Sequence, residues 1–218
     1  MAREQLNGAS YNWNAFPDRP HLAAALAVSG GTTPAKFFAA LSAMPIAWDK
    51  VIVTLVDERF VPASSPRSNA GLVAANLLQN AAKAARFVPL YHEASGIEDA
   101  AASDDAALRS LPWPLDVVVL GMGPDGHTAS FFPDADDLAK LLDPASDRII
   151  LPVHAASAGE PRLTLTLARI IDAGFIALHI EGEDKRTAFD GAVAPGPRKP
   201  IRAVLDASPR PVEVFWAP

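Results

Sequence analysis

The residues best suited to catalysis lie in a glycine-rich turn, GMGPDGHTASFFP, at positions 121–133. The apolar run before it, residues 115–120, predicts a buried strand. The turn contains one imidazole, that of His127, and histidine exchanges protons near neutral pH. Asp125 either orients this imidazole or shapes the turn, and the sequence does not separate the two roles. A purely structural histidine is the alternative interpretation.

A second glycine turn follows a predicted strand at residues 22–28. Its members are Ser29, Gly30, Gly31, Thr32 and Thr33. Glycines let a ligand approach the backbone closely, and the N-terminus of the helix that follows favours an anion. The pattern therefore predicts a phosphate-binding turn. The alternative is an ordinary strand-to-helix turn in which Thr33 caps the helix and Pro34 takes its first position.

Three charged residues, Asp57, Glu58 and Arg59, stand directly after the predicted strand at residues 51–56. Charges at the end of a buried strand need partners or water. The cluster is therefore either part of a site or a structural ion pair.

Two further cations are candidates for binding an anion. Lys185 falls in the first turn of a predicted helix, where the helix dipole disfavours a cation unless an anion lies beside it. Arg162, just before an alternation of Leu and Thr, is a candidate of the same kind. A solvated surface position is the alternative for Lys185.

The predicted elements place these clusters together. Strands are predicted at residues 22–28, 51–56, 87–91, 115–120, 149–153, 175–180 and 212–216, and helices at 34–43, 69–78, 98–111, 184–193 and 201–205. Residues 163–167 fit a strand or a helix start, and residues 1–20 an edge strand or an ordered tail. The alternation predicts one α/β domain over residues 1–218, a Rossmann-like fold with a mostly parallel sheet and helices on both faces. The carboxyl ends of such strands converge on one edge.

Composition limits the function. The chain has 218 residues, a net charge of −6 and no cysteine. Cysteine chemistry is thereby excluded, and the lack of cysteine fits a cytoplasmic protein. The acidic balance argues against nucleic-acid binding, although a few local cations can still bind an anionic small molecule. We find no secretory signal and no apolar run near the roughly 18–20 residues that span a bilayer, so no membrane partner is expected.

Other site patterns are missing or misleading. The five histidines show no spacing typical of a metal site, and no G-x-S-x-G nucleophile turn is present. Gly121, Gly123 and Gly126 match the dinucleotide fingerprint, but that fingerprint requires a long helix at the third glycine. Pro133 leaves room for barely more than one turn, so we discount dinucleotide binding.

Taken together, these stretches resemble the 6-phosphogluconolactonase family, within the larger group that includes glucosamine-6-phosphate deaminases. The matching segments are SGGTTPAKFF (29–38), VDERFVP (56–62) with Ser68 and Asn69, LGMGPDGHTASFFP (120–133), PRLTLTL (161–167) and EGEDKRTAF around Lys185. The GPDGHTAS stretch is the specific one. The SGG-x-TP pattern is shared with the deaminases.

The resemblance implies hydrolysis of 6-phospho-D-glucono-1,5-lactone to 6-phospho-D-gluconate, the second step of the pentose phosphate pathway. It implies a carboxylic ester hydrolase that needs no cofactor or metal, in the cytoplasm, as a monomer or homodimer. It suggests His127 as the general base and Asp125 as a support for either the histidine or the substrate hydroxyls. Arg59 and Asp57 would line the site, with Arg59 stabilising an oxyanion or gripping the phosphate. The remaining expected binding residues are Ser29, Gly30, Gly31, Thr32, Thr33, Gly126, Arg162 and Lys185.

The chain departs from the family pattern at its start. The family usually has a longer helix before the first glycine turn, so we expect a helix here to be shortened or absent.

Two rival functions share the predicted fold. Deaminases typically carry GHIAFNEP where this chain has GHTASFFP, so the Asn-Glu pair associated with ring opening is missing. A sugar-phosphate-binding module without catalysis is the other rival, and His127 and Arg59 argue against it.

Overall fold

The computed structural model describes residues 23–218. It contains nine strands and seven α-helices in this part of the chain. The strands are β1 (Ala24–Val28), β2 (Val51–Leu55), β3 (Asp57–Arg59), β4 (Arg86–Phe87), β5 (Val117–Leu120), β6 (Ile150–Val153), β7 (Arg162–Leu165), β8 (Phe175–Glu181) and β9 (Val212–Ala217). The helices are α1 (Ala35–Ser42), α2 (Asn69–Asn76), α3 (Ile97–Leu108), α4 (Leu138–Leu141), α5 (Leu167–Ile171), α6 (Glu183–Val193) and α7 (Pro200–Ala207).

The main sheet has six strands in the order β4-β2-β1-β5-β8-β9, and all of its pairs are parallel. Its central strands are short runs of Val, Leu, Ile and Ala that are almost fully buried, as expected for strands covered on both faces. The predicted α/β fold class with a mostly parallel sheet is confirmed. The described helices are too short or too polar to span a membrane.

A second sheet was not predicted. β3, β7 and β6 form a three-stranded antiparallel sheet in the order β3-β7-β6. The strands predicted at 149–153 and 163–167 therefore do not join the parallel sheet. The latter stretch is first a strand and then, from Leu167, a helix, so both alternatives are partly right.

Val56 explains how the chain passes from one sheet to the other. Its N–H donates to the carbonyl of Val28 in the main sheet, and its carbonyl accepts from the N–H of Leu165 in the second sheet. Asp57, Glu58 and Arg59 thus form a strand of their own rather than a loose strand end. Local sequence pattern could not predict this, because the pairing partner lies about a hundred residues later in the chain.

The carboxyl ends of β1, β2 and β5 lie level with one another. Val28 pairs with Leu55 on one side and Val119 on the other. The turn after β1 is joined to the turn after β5, since Ser29 N–H donates to the Val119 carbonyl and Gly121 N–H donates to Ser29 Oγ at 3.0 Å. This level edge brings the two glycine turns side by side.

One predicted strand is shorter in the structure, and some expectations concern residues that the structure does not describe. The strand predicted at 87–91 is only the two-residue edge strand β4. No helix follows Gly126 until α4, which agrees with discounting the dinucleotide fingerprint. The expectations for residues 1–20, and for a shortened helix before the first glycine turn, fall largely on residues 1–22 and so lie outside the described residues.

Candidate active site

A cavity of about 330 Å³ opens at the carboxyl edge of the main sheet. This volume is within the range of small-molecule sites. The predicted residues that line it are Ser29, Gly30, Gly31, Thr32, Thr33, Asp57, Arg59, His127, Arg162 and Lys185. Another cavity of about 380 Å³ includes Glu98, Lys140 and Arg148 in its wall but none of the predicted residues.

The imidazole of His127 is held by Asp125. Nδ1 lies 2.6 Å from Asp125 Oδ1, and the same oxygen accepts the backbone N–H of His127 at 3.1 Å. An ionised carboxylate can only accept hydrogen bonds, so Nδ1 carries the proton and Nε2 of the neutral ring keeps a free lone pair. Asp125 therefore both orients the ring and shapes the turn. It is not itself among the residues that line the cavity.

Two apolar contacts fix the other sides of the ring. Phe132 packs against the imidazole with ring centroids 4.4 Å apart. Gly123 lies so close that a Cβ there would be 2.2 Å from Cε1 of His127 and 2.4 Å from Nδ1. The Gly123 N–H also donates to the His127 carbonyl. The close approach of the histidine thus requires a glycine at this position.

Asp57 is a buried residue whose carboxylate is held by Ser130, in the turn that carries His127. The residue is 6% exposed, and Oδ2 accepts from Ser130 Oγ at 2.6 Å. Ser130 N–H in turn donates to Thr164 Oγ1 at 3.3 Å. The bond to Ser130 ties the second sheet to the turn that carries His127, and Oδ1 of Asp57 makes no hydrogen bond with any of residues 23–218.

Glu58 has a role that the sequence did not reveal. It is fully buried, and its carboxylate accepts from the N–H groups of Arg59, Asn69 and Ala70 and from Ser68 Oγ. Burial raises the pKa of Glu58, and these hydrogen bonds oppose that rise. Because three of these donors, Ser68, Asn69 and Ala70, stand at the start of α2, Glu58 fastens this helix to its own strand, β3.

Asn69 connects β3 with the first glycine turn. Its Nδ2 donates to the Asp57 carbonyl at 2.9 Å, and the residue is 2% exposed. Its Oδ1 lies where a Cβ of Gly30 would be, only 1.8 Å from that position. Gly30 therefore makes room for this amide. The sequence predicted that its glycines admit a ligand and did not predict this contact with Asn69.

The turn at residues 29–33 does not have the threonine cap that sequence offered as an alternative. α1 begins at Ala35, Pro34 is its N-cap residue, and no side chain caps it. Thr33 Oγ1 instead accepts from Lys185 Nζ at 2.8 Å. Within residues 23–218, the backbone N–H groups of residues 30–33 donate no hydrogen bond to another residue. The turn thus presents free donors beside an ammonium group.

Lys185 is half-buried rather than a solvated surface lysine. Burial lowers the pKa of its ammonium group, and the carboxylate of Glu181 opposes that effect. A cation desolvated in this way is stabilised by an anion nearby. The position therefore favours the anion-binding interpretation over the surface one.

Arg59 and Arg162 face each other across β3 and β7, where they are register partners. Arg162 is 7% exposed. Its Nη2 donates to the Ala158 carbonyl at 2.8 Å and lies 3.3 Å from Glu160 Oε1. Arg59 donates to the Arg67 carbonyl. In both residues the buried Nε has no partner among residues 23–218.

Arg162 is connected with His127 rather than with Lys185. Its guanidinium lies 5.4 Å from the centroid of Phe132, the ring that packs on His127. No hydrogen bond or ion pair joins it to Thr33 or Lys185 in the described part of the chain. Burial lowers the pKa of Arg162, and the charge of Asp57 opposes that effect.

Gly126 is the one predicted binding residue that the structure places elsewhere. It has a φ of 83°, and a Cβ there would meet Lys199 Cβ at 2.8 Å. Its carbonyl accepts from the N–H of Ile201 in α7. Its role in the structure is to let the turn pack on α7, and its contact with a ligand stays a prediction.

The site combines a positioned base, three cations of which Arg162 is buried, and a turn suited to an anion. His127 can take a proton from water, the two arginines can stabilise negative charge, and the turn with Lys185 can hold a phosphate. In the described residues, no three His, Asp or Glu side chains cluster in a way that could hold a metal ion. The arrangement suits hydrolysis of an activated carbonyl in an anionic substrate.

Comparisons with known proteins agree with this chemistry. The family model described as glucosamine-6-phosphate isomerases/6-phosphogluconolactonase matches residues 17–216. A 6-phosphogluconolactonase from Mesorhizobium japonicum is 90% identical over the full length of both chains, and one from Rhizobium meliloti is 53% identical over 89% of this chain and 85% of its own.

Solved structures show the same likeness. The crystal structure of a 6-phosphogluconolactonase from Shewanella baltica is 40% identical, with a TM-score of 0.85, over 90% of this chain and 84% of that chain.

The alignment with the Mesorhizobium protein runs over 238 positions, against 218 residues here. That relative therefore carries at least 20 residues without a counterpart in this chain.

Proposed function

The chain belongs to the family of glucosamine-6-phosphate isomerases and 6-phosphogluconolactonases, and from this premise we infer that it is a 6-phosphogluconolactonase. It hydrolyses 6-phospho-D-glucono-1,5-lactone to 6-phospho-D-gluconate in the oxidative branch of the pentose phosphate pathway. The observation that carries the assignment of residues is the hydrogen-bonded pair of Asp125 and His127 beside the cavity that also holds the Thr33–Lys185 contact.

We propose that His127 is the general base. Nε2 takes a proton from a water molecule whose oxygen attacks the lactone carbonyl carbon and forms a tetrahedral intermediate. The bond between that carbon and the ring oxygen then breaks, and the imidazolium returns its proton to the leaving oxygen. Asp125 keeps the proton on Nδ1 and stabilises the transient imidazolium, so only Nε2 faces the reacting water.

Arg59 and Arg162 are proposed to stabilise the oxyanion that forms on the carbonyl oxygen. Arg162 is buried and Arg59 is partly exposed, and in each the buried Nε has no partner among residues 23–218. Arg162 reaches the His127 region through Phe132. The resemblance implied that Arg162 helps to hold the phosphate, but its contact with Phe132 favours the His127 end of the cavity. Asp57, a buried carboxylate bonded to Ser130 whose charge acts on Arg162, is proposed to balance the positive charge of this guanidinium and to accept a substrate hydroxyl.

The 6-phosphate is proposed to bind in the turn of residues 29–33 beside Lys185. Free backbone donors, the hydroxyl groups of the two threonines and an ammonium group suit a phosphate dianion. Binding energy from this remote group would orient the lactone for attack at its other end. No cofactor enters this scheme. A single domain, a cytoplasmic location and a monomeric or homodimeric state stay predictions.

The deaminase alternative lacks its acid group. The Asn-Glu pair of the deaminase pattern is replaced here by Phe131 and Phe132, which are 0% and 4% exposed. Phe132 packs on the catalytic imidazole. An apolar ring therefore stands where ring opening would require a carboxyl group.

A coupled assay with freshly generated 6-phosphogluconolactone tests the function. Hydrolysis is followed through 6-phosphogluconate dehydrogenase at slightly acidic pH, where the spontaneous reaction is slow. We expect acceleration by the parent and its loss in His127→Ala. No acceleration, with 6-phosphogluconate still binding in calorimetry, would support a binding module, and absence of both would direct attention to the deaminase substrate.

A further inference from the structure

His179 is a partly buried histidine that no step of the proposed hydrolysis uses. It lies in the second half of β8 and lines the same cavity as His127 and Lys185. Within residues 23–218, neither of its ring nitrogens takes part in a hydrogen bond or ion pair. Its ring nitrogens are not among the unpartnered atoms that are shielded from solvent, so the imidazole has an accessible, unused donor in the wall of the site.

Its surroundings place it at the phosphate end of the cavity. The ring of Phe37, on the helix that follows the glycine turn, meets the imidazole edge-on with centroids 5.8 Å apart. Lys185, which donates to Thr33, lies close enough to act on His179 electrostatically. Three elements, α1, β8 and α6, therefore converge on one side of the cavity, around the turn of residues 29–33.

The ring is suited to donate without carrying a charge. Burial lowers the pKa of His179, and the nearby Lys185 lowers it further, while Glu181 has the opposite effect. At neutral pH the imidazole is therefore mainly neutral and carries one N–H. Such a donor can bind a phosphate oxygen without adding a second cation beside Lys185.

We propose that His179 is a phosphate-contacting residue, which donates a ring N–H to the 6-phosphate beside Lys185 and so favours phosphorylated over unphosphorylated lactones. The proposal rests on the proposed function, because that function supplies the phosphate. It adds a side chain on β8 to the donors of the glycine turn and of α6. Phe37 packs against the imidazole but does not line the cavity, so it supplies no contact to the phosphate itself.

Two variants separate donation from packing. His179→Phe keeps an aromatic ring against Phe37 but loses the donor, and His179→Gln keeps an N–H donor on a smaller side chain. His154→Gln serves as a control, since His154 is bonded to Glu98 and does not line this cavity. Each protein is measured for hydrolysis of 6-phosphogluconolactone and of unphosphorylated gluconolactone, and for 6-phosphogluconate binding by calorimetry.

We expect His179→Phe to raise the KM for the phosphorylated lactone and to weaken 6-phosphogluconate binding, each by about tenfold, the value of one hydrogen bond to a charged group. The kcat and the rate with the unphosphorylated lactone should stay within about twofold of the parent. His179→Gln should recover part of the affinity. Circular dichroism confirms that the variants are folded.

Three results would overturn the proposal. One is 6-phosphogluconate binding by His179→Phe that is as tight as binding by the parent. Another is an equal loss with phosphorylated and unphosphorylated lactones, which would make the residue structural. The third is a parent that binds no 6-phosphogluconate. A parent that binds the product but hydrolyses nothing would contradict the proposed function alone, since the binding comparison still tests His179.

Discussion

The carboxylate of Asp125 accepts two hydrogen bonds from His127, one from the backbone N–H at 3.1 Å and one from Nδ1 at 2.6 Å. One residue thus determines the conformation of the turn and the tautomer of the ring. Because the side chain of Asp125 is 37% exposed, water can partly replace it as an acceptor. The pair therefore orients the base without being fully shielded from solvent.

Replacing the base tests its role directly. In His127→Ala no group remains at this position to take the proton from water, so we expect kcat to fall by about 10²–10⁴-fold with little change in KM. The coupled assay measures both parameters. An unchanged kcat would remove His127 from the mechanism, whereas a large rise in KM alone would make it a binding residue.

The two roles of Asp125 can be separated by comparing two substitutions. Asp125→Asn keeps an oxygen for the backbone N–H but removes the charge that stabilises the imidazolium, and Asp125→Ala removes both. We expect kcat to fall by about 10–100-fold in each, less than for a fully buried orienting aspartate, and thermal stability to fall only in Asp125→Ala. If Asp125→Asn retained the kcat of the parent, the carboxylate would serve the turn alone.

Lys185→Ala tests the phosphate end of the cavity. Loss of the ammonium group removes a charge-assisted contact that is made equally in the bound substrate and in the transition state, so KM should rise by at least about tenfold while kcat changes little. Binding of 6-phosphogluconate should weaken in parallel. A variant that bound phosphorylated and unphosphorylated ligands as the parent does would make the phosphate assignment wrong.

The sequence was sufficient to predict that the two glycine turns, one of which carries His127, lie near Lys185. Each follows a strand of apolar residues or begins the helix after one, and parallel strands present their carboxyl ends at a common edge. Motif spacing along the chain carries this information. The structure accordingly brings ten of the predicted residues to one cavity.

The sequence could not predict residues whose role depends on distant partners. The sequence showed Glu58 only as a charge at the end of a strand. Its partners Ser68 and Asn69 lie about ten residues later, and the fold of the intervening turn brings them to its carboxylate. His179 lies within an apolar strand and shows no motif. The second sheet was missed because Val56 joins strands that are far apart in sequence.

Asp104 predicts a pH dependence of stability away from the site. Its side chain is 11% exposed, and burial raises its pKa to about 6, against the opposing effect of His92 at 2.9 Å. Between the unfolded value near 3.8 and the folded value, the folded chain keeps a proton that the unfolded chain has lost. The free energy of unfolding therefore falls as pH rises through this window.

Asp104→Asn removes that dependence. Relative to the parent, the free energy of unfolding of the variant should rise by about 1–3 kcal/mol between pH 4 and pH 7. Urea denaturation at several pH values measures this difference, and Asp136→Asn, at an exposed position, is the control. A difference that stays constant with pH would show that the carboxyl group titrates alike in both states.

Gly123 and Gly121 provide a matched pair for testing how the histidine is positioned. A methyl group at position 123 would lie 2.2 Å from Cε1 of His127 and 2.8 Å from Asp125 Oδ1, whereas at position 121 it would meet nothing closer than Ser29 Cβ at 3.8 Å. Both residues have φ values outside the positive region, so alanine fits either backbone. Only the first substitution must displace the ring.

We therefore expect Gly123→Ala to lower kcat by about tenfold or more, since a shift of about 1 Å at a catalytic group is costly, and Gly121→Ala to stay within about twofold of the parent. The coupled assay gives kcat, and calorimetry with 6-phosphogluconate shows whether the phosphate end is intact in both. Equal activity of the two variants would mean that the His127 side chain adjusts freely. That result would contradict a base held by Asp125, Phe132 and the backbone at Gly123, because a ring fixed on three sides has no room to move.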